Sequence, residues 1–540
     1  MNTRGVRRAL VLQSEKVRSY AMPLMKKIED SLQTSNENTS TRLSGEAYQL
    51  GSLGSKLRTA LESREARSIR RRLPEPSVLG KQSLIDFTSN DYLSLSTSPL
   101  LRRRFLEKIA EEDRGQILGS AGSRLLVNPD AHDRLERRME IVFSRPGHDE
   151  HSTPQVGILF NSGFDANVSF FTCIPQSGDV LILDEYIHAS VWDGVRASRV
   201  AQDCVKTFEH NSIESFSAVL ESLLNDVISP SLAGRLRDGI SSLFVAVESL
   251  YSMDGTLAPL REINKLLAKL FLMQNAYLIV DEAHATGIYG TPSRPGCGRV
   301  SQLGLDGGLG SRVGVTARDM DDGENSRVLA RLHTFGKALA GSGAILLTTP
   351  LLTSYLINYA RPLIYTTALA HPNVVLAEAA FDLMVEGETE NLSAHLLALS
   401  AYLANLLQSE LHQARISPEV VCLPPHLLPP VRNLDSCSPS PDSQLLSQSS
   451  VPLPHPATPI TPLLTPHPRL LSTHLLTLGM NARPITWPTV PHGKERVRVC
   501  LHSGNTRKDI ETLVGGVVEW AGQMKEKDLI MDSLQTQSKL

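Results

Sequence analysis

The run RLHTFGKALAGSGAILL (331–347) sets Lys337 between an apolar stretch and a glycine-rich turn, and its reading decides the fold. Upstream, IVDEAHATG (279–287) supplies a carboxylate in Asp281 and an imidazole in His284. A lysine amine can hold a carbonyl cofactor as an imine. A carboxylate beside a pyridine nitrogen keeps that nitrogen protonated, so that the ring accepts carbanion electrons. Lys337 and Asp281 are the residue types that pyridoxal phosphate (PLP) chemistry requires. Asp281 follows the apolar run AYLIV, which predicts a buried parallel strand with Asp281 at its carboxyl end, where ligands bind in open α/β sheets.

Each signal alone has a plain structural explanation. A lysine after glycine is commonly a solvated loop charge, and an aspartate ending a strand commonly caps the next helix. Order and company along the chain argue for a site instead. NSGFDAN (161–167) places Gly163 before an apolar stretch, which suits close backbone approach to a phosphate at a helix start. LILDEYIHASVWDG (181–194) sets His188 just after a strand, where a flat imidazole could stack on a pyridine face. VAVESLYSMDGTLAPL (245–260) ends a third strand with Glu248, Ser252 and Asp254.

The blocks SNDYLSL, GSAGSR, NSGFDAN, DEYIHAS, ESLYSMDG, VDEAHATG, TFGKALAGSG and ARPLIYTTAL resemble, in order, the signatures of the α-oxoamine synthases. These are PLP enzymes of the aspartate aminotransferase fold that condense a small amino acid with an acyl-CoA, losing carbon dioxide and CoA. The resemblance runs from about residue 55 to about residue 520, with interruptions. It implies an α/β protein of fold type I, with a large domain on a mainly parallel seven-stranded sheet and a smaller α+β domain. The expected division is a partly flexible extension (1–54), an N-terminal helix and start of the small domain (55–97), a large PLP-binding domain (98–368), a C-terminal small domain (369–530) and a tail (531–540).

Residue by residue, the resemblance implies Lys337 as the cofactor-holding lysine, Asp281 on the pyridine nitrogen, His284 on the phenolic oxygen and His188 over the ring. Glu248 and Ser252 would lie beside them. Gly163 and Phe164 would offer backbone donors to the phosphate, with the Thr334 hydroxyl as a further ligand. Thr366 and Thr367 would reach that phosphate from the second subunit of a homodimer, so that the active site is shared. Arg498, in ERVRVCL (495–501), matches the arginine that takes the amino-acid carboxylate, for which a two-pronged guanidinium is apt, and Asn90 lies near the same carboxylate.

SKLRTALESREARSIRRRL (55–73) resembles the N-terminal helix of the 8-amino-7-oxononanoate synthase branch, triple arginine included. That branch joins L-alanine to pimeloyl-CoA, whose distal carboxylate other acyl donors lack, and Arg70 is the expected reader of it. Arg71 and Arg72 have the plainer reading of charges at a helix end. A sister synthase using another amino acid or thioester, a simple aminotransferase and a non-catalytic partner subunit remain alternatives; the presence of Lys337 argues against the last. The chain ends in Ser538, Lys539 and Leu540, the SKL tripeptide read by the peroxisomal import receptor. Mitochondrion and cytosol are the alternative locations. The arginine-rich N-terminus favours the mitochondrion, while Glu15, Glu29 and Asp30 oppose it.

Across 540 residues, 41% are hydrophobic and 21% charged, with a formal net charge of -3. That allows a large core and argues against the clustered basic face of a nucleic-acid binder. Six cysteines stand without paired metal spacing, so no metal is expected. The absence of a long apolar run argues against a membrane span. Two insertions interrupt the resemblance. Residues 304–328 are expected as a surface loop, and residues 424–468 are too rich in Pro and Ser for a continuous helix or central strand. In GSAGSRLLVNPDAHDRLE (119–136), Asn128 and Pro129 replace the family's glycine-bearing turn.

Overall fold

The computed structural model describes residues 51–67, 69–73, 84–111, 118–145, 153–225, 230–314, 325–428 and 457–537. These fall into two compact units, before and after the stretch 74–83. The N-terminal extension 1–50 and the tripeptide Ser538 to Leu540 lie outside the described residues.

Among its described residues the first unit holds one helix, Gly51–Ala66, with no buried residue. It ends earlier than the sequence suggests, ahead of the triple arginine. Continuing it would stack Arg64, Arg67 and Arg71 three and four residues apart, where like charges repel. The chain instead leaves the helix, and Arg70 and Arg72 fold back onto Glu65 at 3.3 and 3.0 Å.

The second unit is built on a seven-stranded sheet. Its strands are β2 (Val156–Phe160), β3 (Val180–Asp184), β4 (Val205–Phe208), β5 (Leu243–Glu248), β6 (Ala276–Asp281), β7 (Val328–Thr334) and β8 (Ala344–Thr348). A short β1 (Ile85–Asp86) precedes them. The order is β2-β8-β7-β6-β5-β3-β4, and β8 alone runs antiparallel to its neighbours. Strands such as LFVAVE and AYLIVD are apolar on both faces because helices cover both. Within β5, Phe244 and Ala246 pack with Phe170 and Phe171 of the helix Gly163–Cys173. Leu243, Val245 and Val247 pack with Phe216 and Leu220 of the helix Ile213–Leu224. That is the two-residue strand period read by two layers.

A smaller sheet of β9 (Ile460–Leu464), β11 (Arg483–Ile485) and β12 (Arg496–Cys500) is antiparallel, in the order β11-β12-β9. β1 pairs in parallel with β10 (Met480–Asn481). A third core joins these strands to the long helices Glu390–Gln413 and Arg507–Gln537.

Both insertions hold more order than expected. Of residues 424–468, those at 429–456 lie outside the description, yet Ile460–Leu464 is a strand, and its Pro462 is tolerated because β9 is an edge. The described ends of 304–328 are buried rather than on the surface: Leu305, Asp306, Ser311 and Ser326 are at most 1% exposed. The Arg294–Asp306 ion pair and a Ser326 hydroxyl bonded to the Leu305 carbonyl at 2.8 Å hold them there. Among the described residues, no helix is long and apolar enough to cross a membrane, and no cluster of His, Cys, Asp and Glu could hold a metal ion.

Candidate active site

The parallel strands end in polar side chains, and a cavity of about 310 Å³ opens where they end. β5 ends in Glu248 and β6 in Asp281, which are register partners and therefore neighbouring carboxylates. Thr334 ends β7, and Lys337 follows in the turn to β8. That turn is closed by Gly341 N–H on the Phe335 carbonyl at 2.6 Å and Ala340 N–H on the Lys337 carbonyl at 2.9 Å. Gly343 sits at φ +104°, and an added Cβ would meet Leu369 Cδ1 at 2.7 Å, so the turn needs glycine there.

Lys337 is half-buried in the cavity wall. Burial lowers its amine below the ordinary lysine range, Arg498 adds to that, and Asp281 and Glu248 oppose it. The two carboxylates differ. Asp281 is held by hydrogen bonds, Oδ1 accepting from Ala283 N–H at 2.9 Å and Oδ2 from Asn167 Nδ2 at 2.8 Å. Glu248 is buried, Ser252 N–H reaches its Oε2 at 3.3 Å, and its Oε1 meets no hydrogen-bond partner. Burial and the neighbouring Asp281 charge push Glu248 well above the usual carboxylate range, with Lys337 opposing them.

Opposite Lys337 the helix Gly163–Cys173 points its N-terminus at the cavity. Ser162 is the N-cap, accepting from Asp165 N–H at 3.1 Å. Gly163 and Phe164 occupy the first helical positions, where N–H groups have no carbonyl one turn back to bond. An added Cβ on Gly163 would lie 2.6 Å from Thr334 Cγ2, so glycine is what lets helix and strand end meet here. His188 caps the helix Ala189–Arg196, its Nδ1 paired with the Ser190 hydroxyl at 2.7 Å. Its ring borders the cavity, and burial of its surroundings lowers its pKa. His284, whose pKa burial lowers well below the ordinary value, completes this wall.

Nine expected residues thus share one cavity: Asn90, Gly163, Phe164, His188, Glu248, Asp281, His284, Thr334 and Lys337. Arg498 stands just behind, donating through Nη2 to Asn90 Oδ1 at 2.8 Å, while its buried Nε has no partner. Ser252 is buried and meets the site through its backbone N–H. Thr366 and Thr367 do not line the cavity of their own chain. Thr366 borders a separate void of about 10 Å³, and the Thr367 carbonyl accepts from Asn161 Nδ2 at 2.6 Å. Arg70 belongs to the first unit.

Three residues not singled out from sequence also shape the site. Asn167 donates both to Asp281 and to the Ser190 hydroxyl at 3.0 Å, tying the carboxylate to the support of His188. Tyr92, fully buried, places its hydroxyl 2.6 Å from His284 Nδ1. His210 lies between Asp184 at 2.8 Å and Asp254 at 3.0 Å and holds the loop that carries Ser252. Burial alone would strip its proton, but hydrogen bonds to the two aspartates outweigh that and raise its pKa to about 9.

These residues fit PLP. Among the described residues a single lysine faces a cavity with a carboxylate fixed by two donors, an aromatic imidazole wall and a helix N-terminus suited to a phosphate.

Residues 82–517 match the family described as aminotransferase class I and II. The chain is 38% identical over 471 residues to 8-amino-7-oxononanoate synthase of Emericella nidulans, covering 87% of this chain and 96% of that one. It is 31% identical over 444 residues to the aminoacyl transferase sphA of Aspergillus fumigatus, covering 82% and 81%. Among solved structures, serine palmitoyltransferase of Sphingomonas wittichii superposes with a TM-score of 0.61 at 21% identity, covering 88% of this chain and 98% of that one. The 8-amino-7-oxononanoate synthase of Francisella tularensis gives 0.52 at 22% identity, covering 82% and 99%.

Proposed function

This chain belongs to the aminotransferase class I and II family and is a PLP-dependent acyltransferase of the α-oxoamine synthase kind, and from that premise we propose that it condenses L-alanine with pimeloyl-CoA to give 8-amino-7-oxononanoate, CoA and carbon dioxide. The observation that carries this choice is the 38% identity, spread over 96% of its length, to a relative bearing that synthase's name.

PLP, when bound, supplies a carbonyl that holds an amine and a ring that takes up the electrons of an adjacent carbanion. The protein's own groups do the rest. Lys337 Nζ would hold the cofactor and is the base placed to take the α-proton; its lowered pKa favours the neutral amine that this needs. Asp281 would keep a proton on the pyridine nitrogen, and Asn167 and Ala283 hold Asp281 in place for that. Of the residues lining the cavity, His188 would cover the ring, His284 would meet the phenolic oxygen, and Gly163, Phe164 and Thr334 would take the phosphate. Arg498 and Asn90 receive the amino-acid carboxylate. The α-carbon bonds to the thioester carbonyl, the carbon–sulfur bond breaks to release CoA, and loss of the original carboxylate as carbon dioxide leaves the product.

Thr366 and Thr367, as the resemblance implies, act across a homodimer interface on the partner's phosphate. Ser538, Lys539 and Leu540 direct the chain to the peroxisome. Deleting them leaves activity in solution intact and moves a tagged chain to the cytosol; a mitochondrial full-length chain overturns the assignment.

The substrate reading turns on Arg70, whose side chain is about one-third exposed and pairs with Glu65 at 3.3 Å. Arg70→Ala raises the Michaelis constant for pimeloyl-CoA roughly ten- to a hundredfold, while an acyl-CoA of similar length without the distal carboxylate is nearly unaffected. Arg498→Ala weakens L-alanine with either donor. Both effects are read by turnover with a panel of acyl-CoAs and amino acids, weighing products by mass spectrometry. Equal losses for both donors in the Arg70 variant favour the second reading, a synthase with another acyl thioester.

A further inference from the structure

Tyr92 is fully buried and does not line the cavity, yet its hydroxyl stands between two groups that serve it. It is 2.6 Å from His284 Nδ1, 3.3 Å from Asn90 Oδ1 and 3.4 Å from Arg498 Nη2. A phenol has one proton to give. Given across the 2.6 Å contact to His284 Nδ1 that proton makes a strong hydrogen bond, whereas across 3.3 Å to Asn90 Oδ1 it makes a weak one, and Arg498 Nη2 donates to the phenol oxygen.

That choice has a consequence for the histidine. A neutral imidazole carries one N–H, and an Nδ1 that accepts leaves the hydrogen on Nε2. We propose that Tyr92 is a positioning residue: by donating to Nδ1 it fixes His284 as an Nε2–H donor toward the cavity, where the acceptor is an anionic oxygen of the bound cofactor. This rests on the reading of the cavity as a PLP site and adds to it the residue that decides which way the histidine's proton points.

Surroundings agree with the geometry. Burial raises the Tyr92 phenol well above its ordinary range, with Cys500 and Tyr289 adding to that and Arg498 opposing it, so the proton is present to be given. Burial lowers His284, and Lys337, Arg498 and His188 all oppose a positive charge there, so the ring is neutral and its tautomer matters. The two rings meet at 56°, with centroids 5.9 Å apart, so contact is through the hydroxyl rather than by stacking.

Tyr92→Phe removes only the hydroxyl. In the PLP-loaded protein it shifts the pH midpoint of the visible absorbance band and weakens PLP roughly two- to tenfold, the worth of one hydrogen bond. The Michaelis constant for the amino acid moves less than about twofold, because the 3.4 Å contact to Arg498 contributes little. The effect disappears on a His284→Gln background, since Tyr92 acts through that ring. A raised amino-acid constant with an unmoved absorbance titration would assign Tyr92 to Arg498 and overturn the proposal, as would additive effects in the double variant. An unchanged PLP affinity and titration overturn it too. A Tyr92→Phe chain that does not fold is replaced by comparing wild type and His284→Gln in the same titration; identical midpoints there also overturn it. Absence of a visible band in wild type defeats the PLP reading itself, which separates the two failures.

Discussion

Lys337→Ala lowers turnover by roughly 10³-fold or more, because one side chain is asked both to hold the cofactor and to move the α-proton. No second amine stands in: Lys337 is the sole lysine lining the cavity among the described residues. Its amine sits where burial and Arg498 disfavour the charge, so the wild-type protein presents a fraction of neutral amine that an exposed lysine would not. The variant keeps the helix N-terminus of Gly163 and Phe164, the Asp281 carboxylate and both histidines, and therefore still binds PLP. What it loses is the covalent bond, visible as loss of the violet-edge absorbance that wild type shows when loaded. Removing the ammonium also strips Glu248 and Asp281 of a nearby cation, but Glu248 is pushed toward the protonated form by burial and tolerates that loss. Turnover near the wild-type rate, with product weighed by mass spectrometry, would sink the assignment of Lys337.

Residues whose role is stated by a strand were legible; residues whose role is stated by a distant partner were not. Asp281, Glu248 and Thr334 each close an apolar run, and a parallel sheet puts such ends on one edge, so sequence suffices to bring them together. Asn167 lies in the quoted block NSGFDAN, one helical turn past Gly163, but its bond to Asp281 spans 114 positions and exists only once helix and sheet have packed. Tyr92 was likewise visible in SNDYLSL, while its partner His284 is 192 positions away. His210 looks like an isolated polar residue until Asp184 and Asp254 close on it. The described ends of 304–328 depart from the expected exposure for a similar reason: glycine-rich composition describes backbone freedom, and the burial of Leu305, Asp306 and Ser326 comes from contacts made elsewhere in the chain. The end of the first helix was missed because helical period says nothing of Arg70 and Arg72 both turning back onto one Glu65.

Asp281→Asn isolates charge from shape. The amide oxygen can still accept from Ala283 N–H, as Oδ1 does at 2.9 Å. The amide nitrogen then faces Asn167 Nδ2, now 2.8 Å from Oδ2, and two donors cannot share that contact. Asn167 answers by turning its own amide, which costs its bond to the Ser190 hydroxyl unless that hydroxyl becomes the donor. The fold therefore survives with a rearranged polar network. Chemistry does not, since an amide cannot neutralise a protonated pyridine nitrogen, and the ring loses the charge that draws electrons from the reacting carbon. Turnover is expected to fall roughly 10²- to 10⁴-fold while PLP remains bound and the thermal midpoint changes little. Loss of the Asp281 charge also removes one of the causes that raise Glu248, so that group's pKa moves down toward the ordinary range. A second variant, Asn167→Asp, separates position from charge by leaving Asp281 intact and setting a like charge against it; it should lose activity for want of placement and recover little with added PLP. If Asp281→Asn turns over at the wild-type rate, the carboxylate is a cap for the Ala283 amide and the ring's proton is held by something else.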